Sequence, residues 1–339
     1  MDLWIIMVIT GVVAAFVSAV LGYAIVPWLR KLKFGQTILE IGPKWHKEKK
    51  QGTPTMGGIM FIIGAVVAYT FCFVMMYLNG YVSFDTTGQL ASFESISGMI
   101  MAVMFGFVGF VDDYIKVAKK RNEGLTEKQK LLLQTLIVAA YFTARIMSGN
   151  TSTVIRFPFI GQLDLWYFYY IIMGLGMIYI VNAVNLTDGI DGLCSSVSFV
   201  YCLSFVFITA ILRDYGQSAI AVAAVGGCIG FLFWNFPPAK VFMGDTGSLF
   251  LGGIVVALGL GTGAEVLMVI AAAVFIWEAL TVLIQTTYFK ITKGKRLFKM
   301  TPIHHSFELR GWSEVKIDAV FSLIALVAGG VAVLLATGL

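Results

Sequence analysis

Charge is what this sequence has least of. Asp, Glu, Lys and Arg make up 13% of its 339 residues, where a soluble domain carries about 25%, so an ordinary water-facing enzyme is excluded. Only three histidines occur and none belongs to an HExxH pattern. The four cysteines (Cys72, Cys194, Cys202, Cys228) form no CxxC pair and lie inside apolar runs. Neither a zinc site nor thiol redox chemistry is expected, which leaves packing as the role of the thiols. No basic residue precedes the first apolar run, whereas Arg30, Lys31 and Lys33 follow it. That order predicts a retained first helix with its N-terminus outside, not a cleaved leader. Low-complexity tracts, long linkers and evident repeats are also missing, so residues 1–339 read as one integral membrane domain.

What the chain has instead is apolar sequence, with 58% hydrophobic residues and mean hydropathy +0.86. About 20 apolar residues in a helix cross a hydrocarbon core of roughly 30 Å. Uncharged runs of that order recur at 3–29, 51–84, 95–111, 165–187, 192–212, 215–239, 246–264 and 319–339. Two more, 131–149 and 265–289, carry one internal charge each, Arg145 and Glu278. The run after Gln51 opens with polar residues, so its helix should start near Met56. The expected fold class is all-α and polytopic, with about ten transmembrane helices. With the N-terminus outside, the inner loops are 29–55, 112–130, 185–191, 236–247 and 290–316. They hold 21 of the 24 Lys and Arg, leaving only Arg145, Arg156 and Arg213 on the other side. A miscounted span would have scrambled that asymmetry. The net charge of +5 is then an inner-surface excess facing anionic lipid, and no nucleic acid partner is implied. On the outer side, residues 150–164 alternate polar and apolar and contain Pro158 and Gly161, which predicts a short hairpin.

The unexpected polar residues gather at inner helix ends. In "FVGFVDDYIK" two adjacent aspartates, Asp112 and Asp113, end an apolar run, with Lys116 at i+4 and i+3. An end cap with a local ion pair would explain one aspartate. Two carboxylates side by side stay ionised together only beside a cation, either Lys116 or a metal. In "NAVNLTDGIDGL", Asn182, Asn185, Asp188 and Asp191 recur every three residues and fan over about half of an ideal helix. An ordinary polar loop is the plain alternative. Gly189 and Gly192 instead predict that the helix ends here and a tight turn re-aims the carboxylates. Asp245 in "MGDTGS" could merely cap the next helix with Thr246 and Ser248. Together with Asp112, Asp113, Asp188 and Asp191 it completes a set of hard oxygen donors suited to Mg²⁺ and substrate phosphates. His304 and His305 follow a basic loop and suit phosphate contact or proton transfer. Glu278, mid-span, is an intramembrane acid with no assigned role.

Carboxylates, lysines and histidines on one membrane face point to phosphoryl-type transfer involving a lipid, where charge neutralisation and alignment matter most. The ordered motifs "GTPTMGG", "DDYIK", "NAVNLTDGIDGL", "FMGDTGS" and "PIHHSFE" resemble those of the polyprenyl-phosphate N-acetylhexosamine-1-phosphate transferase superfamily. Within it, "GTPTMGG" and the Pro-x-His-His element are most similar to the phospho-N-acetylmuramoyl-pentapeptide-transferase family of bacterial cell-wall synthesis. The resemblance implies ten helices in the bacterial plasma membrane, both termini outside, and a cytoplasmic active site. It implies Mg²⁺-dependent transfer of phospho-MurNAc-pentapeptide from its UDP carrier to undecaprenyl phosphate, giving lipid I and UMP, and a homodimer.

By motif position, the resemblance makes Asp112, Asp113 and Asp245 the catalytic carboxylates, with Asp245 the metal ligand. Asn185, Asp188, Asp191 and Phe242 would serve the nucleoside, while Lys50, Thr55, Asn235, Gln285, His304 and His305 would line the nucleotide-sugar and phosphate region. Lys116 would face phosphate. The family carries three consecutive histidines where this chain reads His304-His305-Ser306. A phosphate monoester has a second pKa of about 6, so an aspartate of ordinary pKa, about 3.9, is a weak base for it. Asp112 and Asp113 are therefore expected to organise metal and acceptor first. The alternatives are a GlcNAc-1-phosphate transferase on the same lipid and, in another class, a polytopic transporter, whose polar residues would sit near the midplane.

Overall fold

The computed structural model describes residues 1–32, 52–81, 89–119 and 123–339. Its elements in chain order are α1 (Leu3–Lys31), α2 (Gly58–Leu78), α3 (Gln89–Ala118), α4 (Glu127–Met147), β1 (Val154–Phe157), β2 (Gly161–Asp164), α5 (Phe168–Thr187) and α6 (Leu193–Leu212). They continue with α7 (Tyr215–Asn235), α8 (Gly244–Gly261), α9 (Glu265–Ala271), α10 (Ala273–Ile291), α11 (Ile303–Glu308) and α12 (Glu314–Ala336). Ten of these helices are long and apolar enough to cross a membrane, as the composition predicts. The polytopic all-α expectation holds, and β1 and β2 form the expected hairpin, antiparallel with Phe157 opposite Gly161.

One boundary differs. The run 265–289 is two helices, α9 and α10, broken at Ala272 (ψ 11°). The break is tolerated because its hydrogen-bond ladder hardly lapses: Ala272 N donates to Met268 O at 2.9 Å and Ile276 N to Ala272 O at 3.0 Å. Backbone groups in an apolar surround need such partners.

Helix α8 is the axis of the bundle. It is almost wholly buried, whereas α1 and α12 at the periphery are mostly not, and it packs on α3, α5 and α2. The outer face of α1 presents Trp4, Val8, Val12 and Phe16, a stripe at helical spacing that suits hydrocarbon. Small residues let the central backbones meet. A Cβ at Gly109 of α3 would overlap the Asp245 carbonyl, and one at Gly58 would overlap the backbone of Gly247. Because Gly109 lies three residues before Asp112, this contact sets the α3 carboxylates beside the start of α8.

The two ends of the bundle are chemically distinct. Asp112, Asp113 and the first turn of α8 lie at one end. At the other lie the hairpin and the chain termini, with Phe159 N donating to Gly338 O and the Met1 ammonium to Asn79 at the end of α2.

Candidate active site

Helix α3 runs on through Asp112 and Asp113 to Ala118, so both carboxylates project from its last turns. Asp113 is fully buried and does the capping that Asp245 could have done. It accepts hydrogen bonds from Thr246 N (2.9 Å), Thr246 Oγ1 (2.7 Å) and Asp245 N (3.3 Å). An anion thus sits on the positive end of the α8 dipole, and Asp245, in the first helical turn, is fixed in direction. Asp112, also fully buried, accepts from Leu125 N at 2.7 Å, which anchors the approach to α4.

Carboxylate oxygens of Asp112, Asp113 and Asp245 all lie within 4.8 Å of one another. Such crowding needs cations, and two lysines supply them. Lys116 Nζ is 2.6 Å from Asp112, 3.0 Å from Asp245 and 3.8 Å from Asp113. Lys130 Nζ is 3.1 Å from Asp112 and 2.8 Å from Asp245. Asp245 keeps 19% side-chain exposure, so it is the member open to a ligand. Its other oxygen accepts from Asn185 Nδ2 at 2.9 Å, and Asn185 also bonds Ser248 at 2.8 Å. The donor set of hard oxygens, already drawn round ammonium groups, is of the kind that holds a divalent cation.

Thr55 joins this group. The segment before α2 pairs with the strand-like run before α8, with Phe242 N donating to Pro54 O and Gly57 N to Phe242 O, both 2.8 Å. Gly244 (φ +70°) then lies between Asp113 and Thr55, leaving no room for a Cβ. The Thr55 hydroxyl is buried without a partner.

The "NAVNLTDGIDGL" stretch behaves as its glycines predict. Helix α5 ends at Thr187, Asp188 is its C-cap, and Gly192 has φ +82°. Asp191 accepts from Ala239 N at 2.8 Å, and Asn235 accepts from Gly192 N and Ser195 while donating to Val241 O. Both hold the 236–243 loop in place, with Phe242 partly exposed on it. Gln285 binds Leu297 N, Phe298 N and Phe298 O at 3.0–3.1 Å and so folds the basic loop.

His304 is fully buried. Its Nδ1 is 3.2 Å from Glu278, and its Nε2 fills the space where a Gly189 Cβ would be. His305, partly exposed, lies 2.6 Å from Glu308 and packs its ring on His304 at 4.1 Å. Ser306, in place of the third histidine, bonds Met300 O and Met300 N at 2.6 and 3.0 Å and closes the loop. The structure therefore brings Asp112, Asp113, Asp245, Lys116, Asn185 and Thr55 together. The histidines reach the "NAVNLTDGIDGL" loop through Gly189. Lys50 lies outside the described residues.

Sequence reasoning missed Lys130. The signal was present in Thr126 and Gln129, a capping box that starts α4 and places a lysine on its first turns. It also left Glu278 without its partner His304.

Residues 95–263 match glycosyl transferase family 4, and residues 50–62 match the phospho-N-acetylmuramoyl-pentapeptide-transferase signature 1. The chain is 41% identical over 329 residues to the phospho-N-acetylmuramoyl-pentapeptide-transferase of Listeria welshimeri, covering 96% of this chain and 97% of the relative. It is 43% identical over 311 residues to that of Bacillus subtilis, covering 90% of each chain. The chain belongs to the phospho-N-acetylmuramoyl-pentapeptide-transferase family.

Proposed function

We propose that the protein transfers phospho-MurNAc-pentapeptide from UDP-MurNAc-pentapeptide to undecaprenyl phosphate, giving lipid I and UMP. An oxygen of the acceptor phosphate forms a bond to the sugar-bearing phosphorus. The bridging P–O bond breaks and UMP leaves with its electron pair. The observation that carries this reading is the convergence of Asp112, Asp113 and Asp245 with Lys116 and Lys130 at one end of the bundle. Three carboxylates gathered round two ammonium groups form a cluster of hard oxygens that suits a further cation.

Magnesium, held by Asp245 with Asp112 and Asp113 beside it, would neutralise the charge that develops on the diphosphate. The protein's own part is positioning. Asp113 fixes Asp245 through the α8 N-terminus, and Asn185 holds the second Asp245 oxygen. Lys116 and Lys130 can swing from carboxylate to phosphate as anionic substrates arrive, since each ammonium carries three donors. The nucleoside end falls to Asp188, Asp191 and Phe242, with Lys50, Asn235, Gln285 and His305 around the nucleotide sugar. His304, enclosed by Glu278 and Gly189, supports His305 from behind.

The lysine and arginine asymmetry of the loops supports a cytoplasmic active site with both termini outside. Lysines around the site suit anionic donors arriving from that side, while the lipid acceptor would come laterally between helices.

The test is UMP release by detergent-purified protein given Mg²⁺, undecaprenyl phosphate and one UDP-sugar at a time. Release is expected with UDP-MurNAc-pentapeptide alone. Release with UDP-GlcNAc instead would assign the protein to the GlcNAc-1-phosphate branch, and release with neither would overturn the proposal.

A further inference from the structure

The end of the bundle away from the aspartates contains a cavity of ≈ 250 Å³ among Glu94, Arg145, Asn150, Arg156, Asp214 and Glu265, closed on one side by the Leu260–Gly263 turn. None of these residues belongs to the aspartate site. Arg145 and Glu265 are 5% and 3% exposed, and Tyr169 joins them, accepting from Arg145 Nη1 and donating to Glu265 Oε1, both at 2.7 Å. Arg145 also faces Glu94 at 3.7 Å, and Asn150 bonds the same Glu94 oxygen.

That arrangement leaves buried polar atoms over. Glu265 Oε2 and Arg145 Nε have no hydrogen-bond partner, and neither does the amide of fully buried Gln217. The Gln217 amide packs on Gly261, a lining residue where a Cβ would overlap it. Buried polar groups are nearly always satisfied, so Glu265 Oε2 and Arg145 Nε, both on residues that line the cavity, point to something bound. A volume of ≈ 250 Å³ is on the order of eight waters, enough for a small polar group.

The chemistry of the lining narrows what that group is. Three carboxylates face two guanidinium groups, so both signs of charge are wanted with an excess of acceptor. Among the described residues, only Asp112, Asp113 and Asp245 bring three carboxylates close enough to share one ion. The acids here are too dispersed for a bare cation and call for a ligand with its own donors. A primary ammonium has three. A quaternary ammonium has none and is recognised by aromatic faces instead, which this lining lacks. Arg156, exposed at the rim beside Glu265, can meet an anion next to the amine.

We propose that this cavity binds a zwitterionic ethanolamine-phosphate group, its ammonium on Glu265 and Glu94 and its phosphate on Arg156. Its place at the rim of the spanning helices is where a phospholipid headgroup would lie.

The experiment measures the thermal midpoint of the detergent-purified full chain. The probes are short-chain phosphatidylethanolamine, phosphatidylcholine and phosphatidylglycerol, and free O-phosphoethanolamine. Phosphatidylethanolamine should raise the midpoint by ~5 °C at a hundredfold excess over Kd, with little effect from the other two lipids. A matching rise with free phosphoethanolamine would identify the headgroup as a soluble ligand; a rise with the lipid alone would identify a membrane source. Glu265→Gln should abolish the rise. Arg156→Ala, at an exposed residue where substitutions usually change stability little, should at least halve it. Asp245→Asn, at the opposite end, should keep it. Equal rises with all three lipids, no rise with either ethanolamine probe, or a full rise in both Glu265→Gln and Arg156→Ala would overturn the proposal and leave a water-filled cavity.

Discussion

The two ends of this bundle solve the same problem in opposite ways. At one end Asp112, Asp113 and Asp245 are compensated by lysines, Lys116 and Lys130, at 2.6–3.8 Å. Ammonium groups on flexible stems can trade a carboxylate for a phosphate. At the other end Glu94 and Glu265 are compensated by Arg145 together with Tyr169 and Asn150. A planar guanidinium stacked 5.4 Å over the Tyr169 ring is fixed. The lysine end is built for exchange of partners, and the arginine end for holding.

Removing charge from the exchanging end should have the largest effect. Asp245→Asn and Asp113→Asn should each lower UMP release by ~10³-fold, the scale of losing a preorganised electrostatic group, with little change in thermal midpoint for Asp245→Asn. A retained rate in either would erase the contrast. Lys130→Met should lower the rate by about 10²-fold, whereas Lys128→Met, exposed on the same helix, should leave it unchanged. Equal losses would mean that general surface charge, not the Asp112–Lys130–Asp245 geometry, matters.

At the holding end the readout is stability. Arg145→Met removes one partner of a buried network and should destabilise by about 3–5 kcal/mol, seen as a lowered thermal midpoint. The smallest effect concerns Asp214 beside the same cavity. Burial holds its carboxyl up at about 6, partly offset by the backbone N–H of Gln217, against about 3.9 in an unfolded chain. The folded state therefore holds this proton more tightly. Its stabilising contribution is complete below pH ~4 and lost as pH rises through ~6. Asp214→Asn, which keeps an N-cap for α7, should flatten the thermal midpoint against pH between those values. An unchanged slope would show that Asp214 is not buried as described.

Much of this was legible in the sequence because membranes impose blunt rules. Run length and loop charge yielded ten spans, and Gly189 and Gly192 marked where α5 ends. The site was legible as a set of inner-end carboxylates. Its wiring was not, because it depends on contacts between distant helices. Nothing local says that Asp113 caps α8, since the sequence around Asp245 offers Thr246 and Ser248 for that work. Lys130 reads as one of several basic loop residues until α4 folds it back over Asp112. His304 looks like a phosphate ligand beside a basic loop, yet α11 tucks it against Glu278, a residue whose mid-span charge had no visible partner. The break at Ala272 carries no proline or glycine to announce it.

The most direct measurement is a Mn²⁺ titration of the purified protein by electron paramagnetic resonance, with Mn²⁺ standing in for Mg²⁺. One bound ion per chain is expected in wild type, tightened by UDP-MurNAc-pentapeptide and lost in Asp245→Asn. Undiminished binding in a folded protein lacking the Asp112, Asp113 and Asp245 carboxylates would contradict the account.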